Sequence, residues 1–426
     1  MTRRGLAKKI SMPNTYQNTT LSAEFFKPLN ELYSLSSSTY ACTVLADLDY
    51  LRLGISRCLS DAKSGRAFIQ EEGDFGTTDI TLDHFFKSLK SKRRLENLVS
   101  LNSLLAEQVS TKVNDPFEQY KELNKWDIYA VDGHYQEHAT HDPIHIRGGK
   151  ESRPVTGQFF RLDLRSHHMS LLDTAIPAAG KKKEHDAKLI KRMTAAALRN
   201  NAPKGRKVML VWDKASICYA TWHKLKMQNA VYFVTMEKSN SAAMNCSEDL
   251  CDHTNPRNEG IVKEQLIGLG GEMMRRIVYK NPTDDKEYTY ITNEMKLPAY
   301  LIVTFYKHRW DIEKIYYQFK SKFNERKSWA SSLIAKRSHA VFQCLLHNLL
   351  LLLEEAIEKQ GVHDKVSEKR AVQRKKPEPV GYINKIVQRA SHRTHVLIRW
   401  LRNHLQIQAS YTHALCRLKV LYARDI

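Results

Sequence analysis

The chain has 426 residues, enough for two or three domains, and 42% of them are hydrophobic, which suffices for a sizeable core. Lys and Arg number 67 against 46 Asp and Glu, a formal charge of +21, so the molecule carries a positive field that attracts polyanions, nucleic acid first. Seven scattered cysteines argue against a disulfide framework and for a reducing cytosol. No apolar signal core follows the basic N-terminus, and the run Leu345 to Leu353 is short, so neither export nor a membrane span is expected.

Residues 1–125 read mainly as helix. Leu45 to Leu59 and Leu82 to Val109 place apolar residues at three-and-four spacing around a break at Gly73-Asp74-Phe75-Gly76. The region looks like a separate module with a possible role in DNA-end binding. Lys87, Lys90, Lys92, Arg93 and Arg94 fit either a phosphate-tracking face or an ordinary solvated one.

From Trp126 the pattern changes to short apolar runs: Ile128 to Val131, Gln158 to Leu164 and His168 to Leu172. A helix-like stretch, Glu184 to Arg199, and a further run, Val208 to Trp212, follow. Ala215 to Gln228 reads as a helix and Ala230 to Thr235 as a strand, giving an α/β core with a mixed sheet. Residues of about 237–293 read as a β-rich insertion, with candidate strands Ile261 to Ile267, Met273 to Tyr279 and Tyr288 to Ile291 set off by Gly270-Gly271 and Asn281-Pro282. Cys246 and Cys251 with His253 give only three possible ligands and no second pair, so chance loop cysteines are favoured over a zinc site. A helix is expected from just after Pro298 to about Phe323, and a second from about Trp329 to Lys359. The region 329–426 is helical and basic, a candidate for DNA binding or dimerisation; from Gly361 onward it holds 14 Lys/Arg against 4 Asp/Glu.

Two aspartates each follow an apolar run: Asp132 ends Ile128-Tyr129-Ala130-Val131, and Asp213 ends Val208-Met209-Leu210-Val211-Trp212. Both are expected at the C-terminal end of a strand, on the sheet rim, where an Asp also serves as an ordinary helix cap. On the helix after Pro298, Tyr306, Arg309, Glu313 and Lys320 fall within roughly one sixth of the circumference at about 100° per residue. Ile312, Ile315, Tyr316 and Phe319 would bury one side, so on spacing alone an ordinary amphipathic helix is the better reading.

These four residues reproduce Y-x2-R-x3-E-x6-K, and in this the chain resembles bacterial DDE transposases of the insertion-sequence-4 type. The resemblance covers roughly residues 127–323. It implies a ribonuclease H-like catalytic core over 126–328, flanked by helical N- and C-terminal regions, with Asp132, Asp213 and Glu313 as catalytic metal ligands. It places Tyr306, Arg309 and Lys320 on transposon-end DNA. Three carboxylates suit Mg²⁺ or Mn²⁺, and two such ions activate the attacking oxygen and stabilise the leaving one.

The implied reaction is cleavage at the element ends by water, then attack of the freed 3′-hydroxyl on target DNA. The partners implied are terminal inverted repeats, target DNA and a second subunit in a homodimer, in the bacterial cytoplasm near the nucleoid. His134, Lys214 and Lys238 are further candidate DNA contacts, and Tyr279, Tyr288 and Tyr290 either stack on a displaced base or pack. His138, His141 and His145, with His134, share a face only on a helix, which Pro143 argues against. A non-cleaving DNA-binding descendant and a plain metal-dependent nuclease are the rival readings.

Overall fold

A computed structural model describes residues 19–35, 44–147, 149–175, 187–213, 219–323, 325, 327–363, 380–386 and 395–423. Five helices come first: α1 (Leu21–Leu35), α2 (Asp47–Leu59), α3 (Gly65–Asp74), α4 (Leu82–Leu89) and α5 (Lys92–Lys112). The long helical pattern from Leu82 divides because Ser91 caps α5, its hydroxyl accepting from the Arg94 amide.

The sheet strands are β1 (Trp126–Gln136), β2 (His145–Arg147), β3 (Lys150–Ser152), β4 (Thr156–Asp163), β5 (Met169–Ala175), β6 (Lys207–Trp212), β7 (Val231–Met236), β8 (Met244–Asn245), β9 (Ile261–Leu269), β10 (Glu272–Lys280) and β11 (Glu287–Thr292). Nine of them form one sheet in the order β5-β4-β1-β6-β7-β11-β10-β9-β8, and β2 and β3 form a small hairpin. β1, β6 and β7 are parallel and every other pairing is antiparallel. The β-rich segment is therefore not a separate layer. β11 pairs with β7, Tyr290 opposite Met236, and carries the central sheet outward.

Two helices, α6 (Ala187–Arg192) and α7 (Ala195–Arg199), precede β6, and α8 (Tyr219–Asn229) lies between β6 and β7. The helix expected after Pro298 is two: α9 (Ala299–His308) and α10 (Trp310–Lys322), with Arg309 at the junction. There the Arg309 and Ile312 amides reach back three residues, to Tyr306 and Arg309, instead of four.

Residues alternate between two cores, as a two-faced sheet requires. Ile128, Ala130, Met209 and Val211 join the cluster under the helices, while Tyr129, Val131, Leu210 and Trp212 join a second one with Trp222 of α8. The first cluster is continuous from Leu21 to Tyr422. It includes α1, α2, α5 and α11 (Leu333–Lys359), as well as helices His395–Gln406 and Tyr411–Ala423. The N-terminal helices share this cluster with the rest of the chain: Asn102 of α5 accepts from the Asn348 amide and donates to the Met169 carbonyl. At 27 residues α11 is long and apolar enough to cross a membrane, but 83% of its most apolar window is buried inside the protein, as in a core helix.

Candidate active site

β1 and β6 run parallel in a register that pairs Val131 with Trp212. One step further sets Asp132 beside Asp213, about 4.8 Å away by the usual strand spacing. Alternation turns both toward the helical face, with Ala130 and Val211. Asp213 stands just past the end of β6, as its sequence suggested.

Asp132 does not end its strand. β1 continues to Gln136, paired with β4 through Gln136 and Thr156, and what ends at Asp132 is the neighbouring strand β6. The rim is a step in the sheet, where Asp132 keeps one backbone neighbour and loses the other. The polar residues beyond it are accommodated in pairs. His134, 3% exposed, stacks on Tyr316 with ring centroids 4.8 Å apart and meets Glu325 at 2.6 Å. Gln136 donates to His339 and accepts from Ser328. His134, a candidate DNA contact in the sequence, therefore lies inside the core.

Over this rim the α9–α10 junction places the signature residues. The Arg309 guanidinium spans two carboxylates, with Nη2 2.8 Å from Glu313 Oε1 and Nη1 3.5 Å from Asp132 Oδ2. Its carbon lies 5.3 Å from the Tyr306 ring centre and 5.7 Å from that of Trp310. Burial alone would lower its pKa, but Tyr306, Asp132 and Glu313 together hold it raised. Tyr306 is 5% exposed. Burial pushes its phenol up to about 12, Arg309 opposes the shift, and Asp213 adds to it, which places Asp213 within electrostatic reach.

Lys320 lies two turns beyond Glu313, exposed on α10. Lys238 lies just past β7, exposed, beside an open cavity of about 340 Å³ lined by Tyr219, Ser241 and Gly270. Lys214 lies outside the described residues.

Tyr316 is a residue whose part the sequence did not reveal. It was read as apolar face, and it is buried, but its hydroxyl donates to the Asp132 carbonyl at 2.8 Å and so ties α10 to β1. Asp311, fully buried, meets His167 at 3.3 Å, His308 at 3.5 Å and Lys314 at 2.7 Å under the junction; despite the cost of burial, these partners hold its carboxyl well below the usual range.

Several candidate DNA contacts are spent on packing or internal pairing. Tyr279 and Tyr290 are 2% and 3% exposed, with Tyr290 packed 4.9 Å from Tyr306. Arg93 and Arg94, read as possible phosphate trackers, both bind Asp47. The four histidines from His134 to His145 are divided between strands and the intervening loop, so they share no helix face.

The donor set is hard oxygen, which suits Mg²⁺ or Mn²⁺. Arg309 bridges Asp132 and Glu313, strand register brings Asp213 alongside Asp132, and among the described residues no three His, Cys, Asp or Glu side chains are grouped to hold a metal ion.

No curated protein matches the chain. The family described as "Transposase DDE domain" matches residues 106–349, from within α5 to within α11, and so takes in the whole nine-stranded sheet and both signature helices. Since that match covers more than half of the 426 residues and brackets the stepped rim with its three carboxylates, the protein belongs to the DDE transposases, a family that acts on DNA and generally uses divalent metal ions.

Proposed function

We propose that this protein is an insertion-sequence transposase of the insertion-sequence-4 type, with a ribonuclease H-like core. The strand order β5-β4-β1-β6-β7, with β4 running against the other four, supports that core. The observation that carries the reading is Arg309 bridging Asp132 and Glu313 at the strand step where Asp213 follows β6, with Asp213 within electrostatic reach of Tyr306.

Asp132 and Asp213 would hold the divalent ions from the sheet, and Glu313 from the helix. A bound ion would supply the Lewis acidity that activates the attacking oxygen and stabilises the leaving one. Arg309 and Lys320 hold the strand by its phosphates, and Tyr306 buttresses Arg309. Water attacks the scissile phosphorus, the bond to the 3′-oxygen breaks, and that oxygen leaves as the 3′-hydroxyl. The hydroxyl then attacks a target phosphodiester in the same site, forming one such bond as another breaks, so no external energy source is required. Asp213, beside Asp132, is suited to receive the nucleophile's proton or pass it to solvent.

The partners are the element's terminal inverted repeats and target DNA, engaged by a homodimer in the bacterial cytoplasm. Lys238, at the open cavity beyond β7, and Lys214, next to Asp213 in sequence, are further candidates for phosphate contact. Asp213→Ala should keep end-DNA binding and lose Mg²⁺-dependent nicking; nicking undiminished in the variant overturns the assignment. Joined products in the wild-type reaction separate a transposase from a plain nuclease.

A further inference from the structure

Arg309 is buried at 6%, yet the carboxylates it bridges are more open, with side-chain exposures of 20% for Asp132 and 32% for Glu313. Its Nε makes no hydrogen bond, so the two ion pairs and the rings of Tyr306 and Trp310 are what hold the head group there. A guanidinium between two carboxylates does what a cation does at that place: it cancels their mutual repulsion and supplies donors to their oxygens. While Glu313 is turned to Arg309, it does not complete a three-ligand group with Asp132 and Asp213.

We infer that Arg309 is a resident counter-cation that competes with the divalent ion for Asp132 and Glu313, so that ion loading requires it to withdraw from the carboxylates. This rests on the metal-ligand reading of those carboxylates proposed above. It makes Arg309 a positioning residue toward the ion, whatever else it touches. Competition of this kind is reciprocal: whatever draws Arg309 away raises ion affinity, and whatever holds it in place lowers it.

The test is a titration of the full-length protein with Mn²⁺ alone, without DNA, reading free Mn²⁺ by its electron paramagnetic resonance signal. Four forms are compared: wild type, Arg309→Gln, Arg309→Lys and Asp132→Asn. Thermal melts establish that each is folded. Arg309→Gln should bind Mn²⁺ at least about ten-fold more tightly than wild type, about 1.4 kcal/mol. Arg309→Lys keeps the charge and should return most of the way to the wild-type affinity, and it carries the comparison if the Gln variant fails to fold. Asp132→Asn should lose the site.

If Asp132→Asn loses binding but Arg309→Gln binds no more tightly than wild type, the competition is overturned and the carboxylate site stands. Where the Gln variant fails to fold, a Lys variant that binds more weakly than wild type overturns it in the same way. If Mn²⁺ binding is indifferent to Asp132→Asn, the metal-ligand reading falls, and the inference with it.

Discussion

Tyr316 joins two parts of the site with one hydrogen bond, from its hydroxyl to the Asp132 carbonyl. Tyr316→Phe keeps the ring against His134 and Phe160 and removes only that bond, so chemical denaturation should show a loss of about 1 kcal/mol. Turnover in a nicking assay should fall while DNA affinity holds, because the change acts on the Asp132 backbone and on no group assigned to DNA. Much of the candidate site was legible at this scale. Two apolar runs ending in Asp and one spaced motif marked Asp132, Asp213 and Glu313 as candidates for the role proposed above. Illegible were the pairings that cross the chain: Glu325 reaching His134 and Arg309 reaching Asp132 depend on the fold, whereas the Arg309–Glu313 pair is the i,i+4 contact that helix spacing allows.

At the level of elements, the core strands β6, β7 and β9 to β11 fall close to where alternation and turn residues put them. β1 runs past its expected end because His134 and Gln136 read as polar, yet the body of the protein buries them with partners. The signature helix breaks at Arg309, where a 100° projection had carried it through unbroken.

Helix contacts give two predictions. A Cβ at Gly54 of α2 would lie 2.1 Å from Phe342 Cζ of α11. Gly54→Ala should therefore destabilise, the clash of about 1–3 kcal/mol outweighing a helix-propensity gain of about 1 kcal/mol. Adding Phe342→Leu should recover part of the loss in the denaturation midpoint.

His168 is fully desolvated and donates to the Asn102 carbonyl, and burial lowers its pKa to about 4. The unfolded chain takes up a proton near pH 6.5 that the folded chain refuses. The stabilisation is therefore complete above pH 6.5 and is lost as pH falls toward 4, about 3 kcal/mol in all. His168→Gln should flatten the fall in melting temperature across that window.

For the whole molecule, the basic C-terminal region has two characters. Helices His395–Gln406 and Tyr411–Ala423 bury Leu397, Trp400, Leu401 and Leu415 in the main core, so cutting the chain after Gly361 would unfold it rather than report on DNA. Charge removal asks the question without that damage. Arg399 and Arg417 are exposed. If they contact phosphates, replacing both by Ala should flatten the slope of log affinity against log salt by roughly one unit each, and an unchanged slope rejects the contact. The core that defeats truncation also bears on timing during synthesis. The Leu21 amide donates to the Ala409 carbonyl, and Thr20 bridges to Ser410, so the start of α1 is tied down only once those residues have been made. A ribosome-bound fragment already displays both aspartates and the signature helices, but without the last helices it lacks one wall of the body that holds them. The body around the rim is in this way completed by residues that are made well after the rim itself.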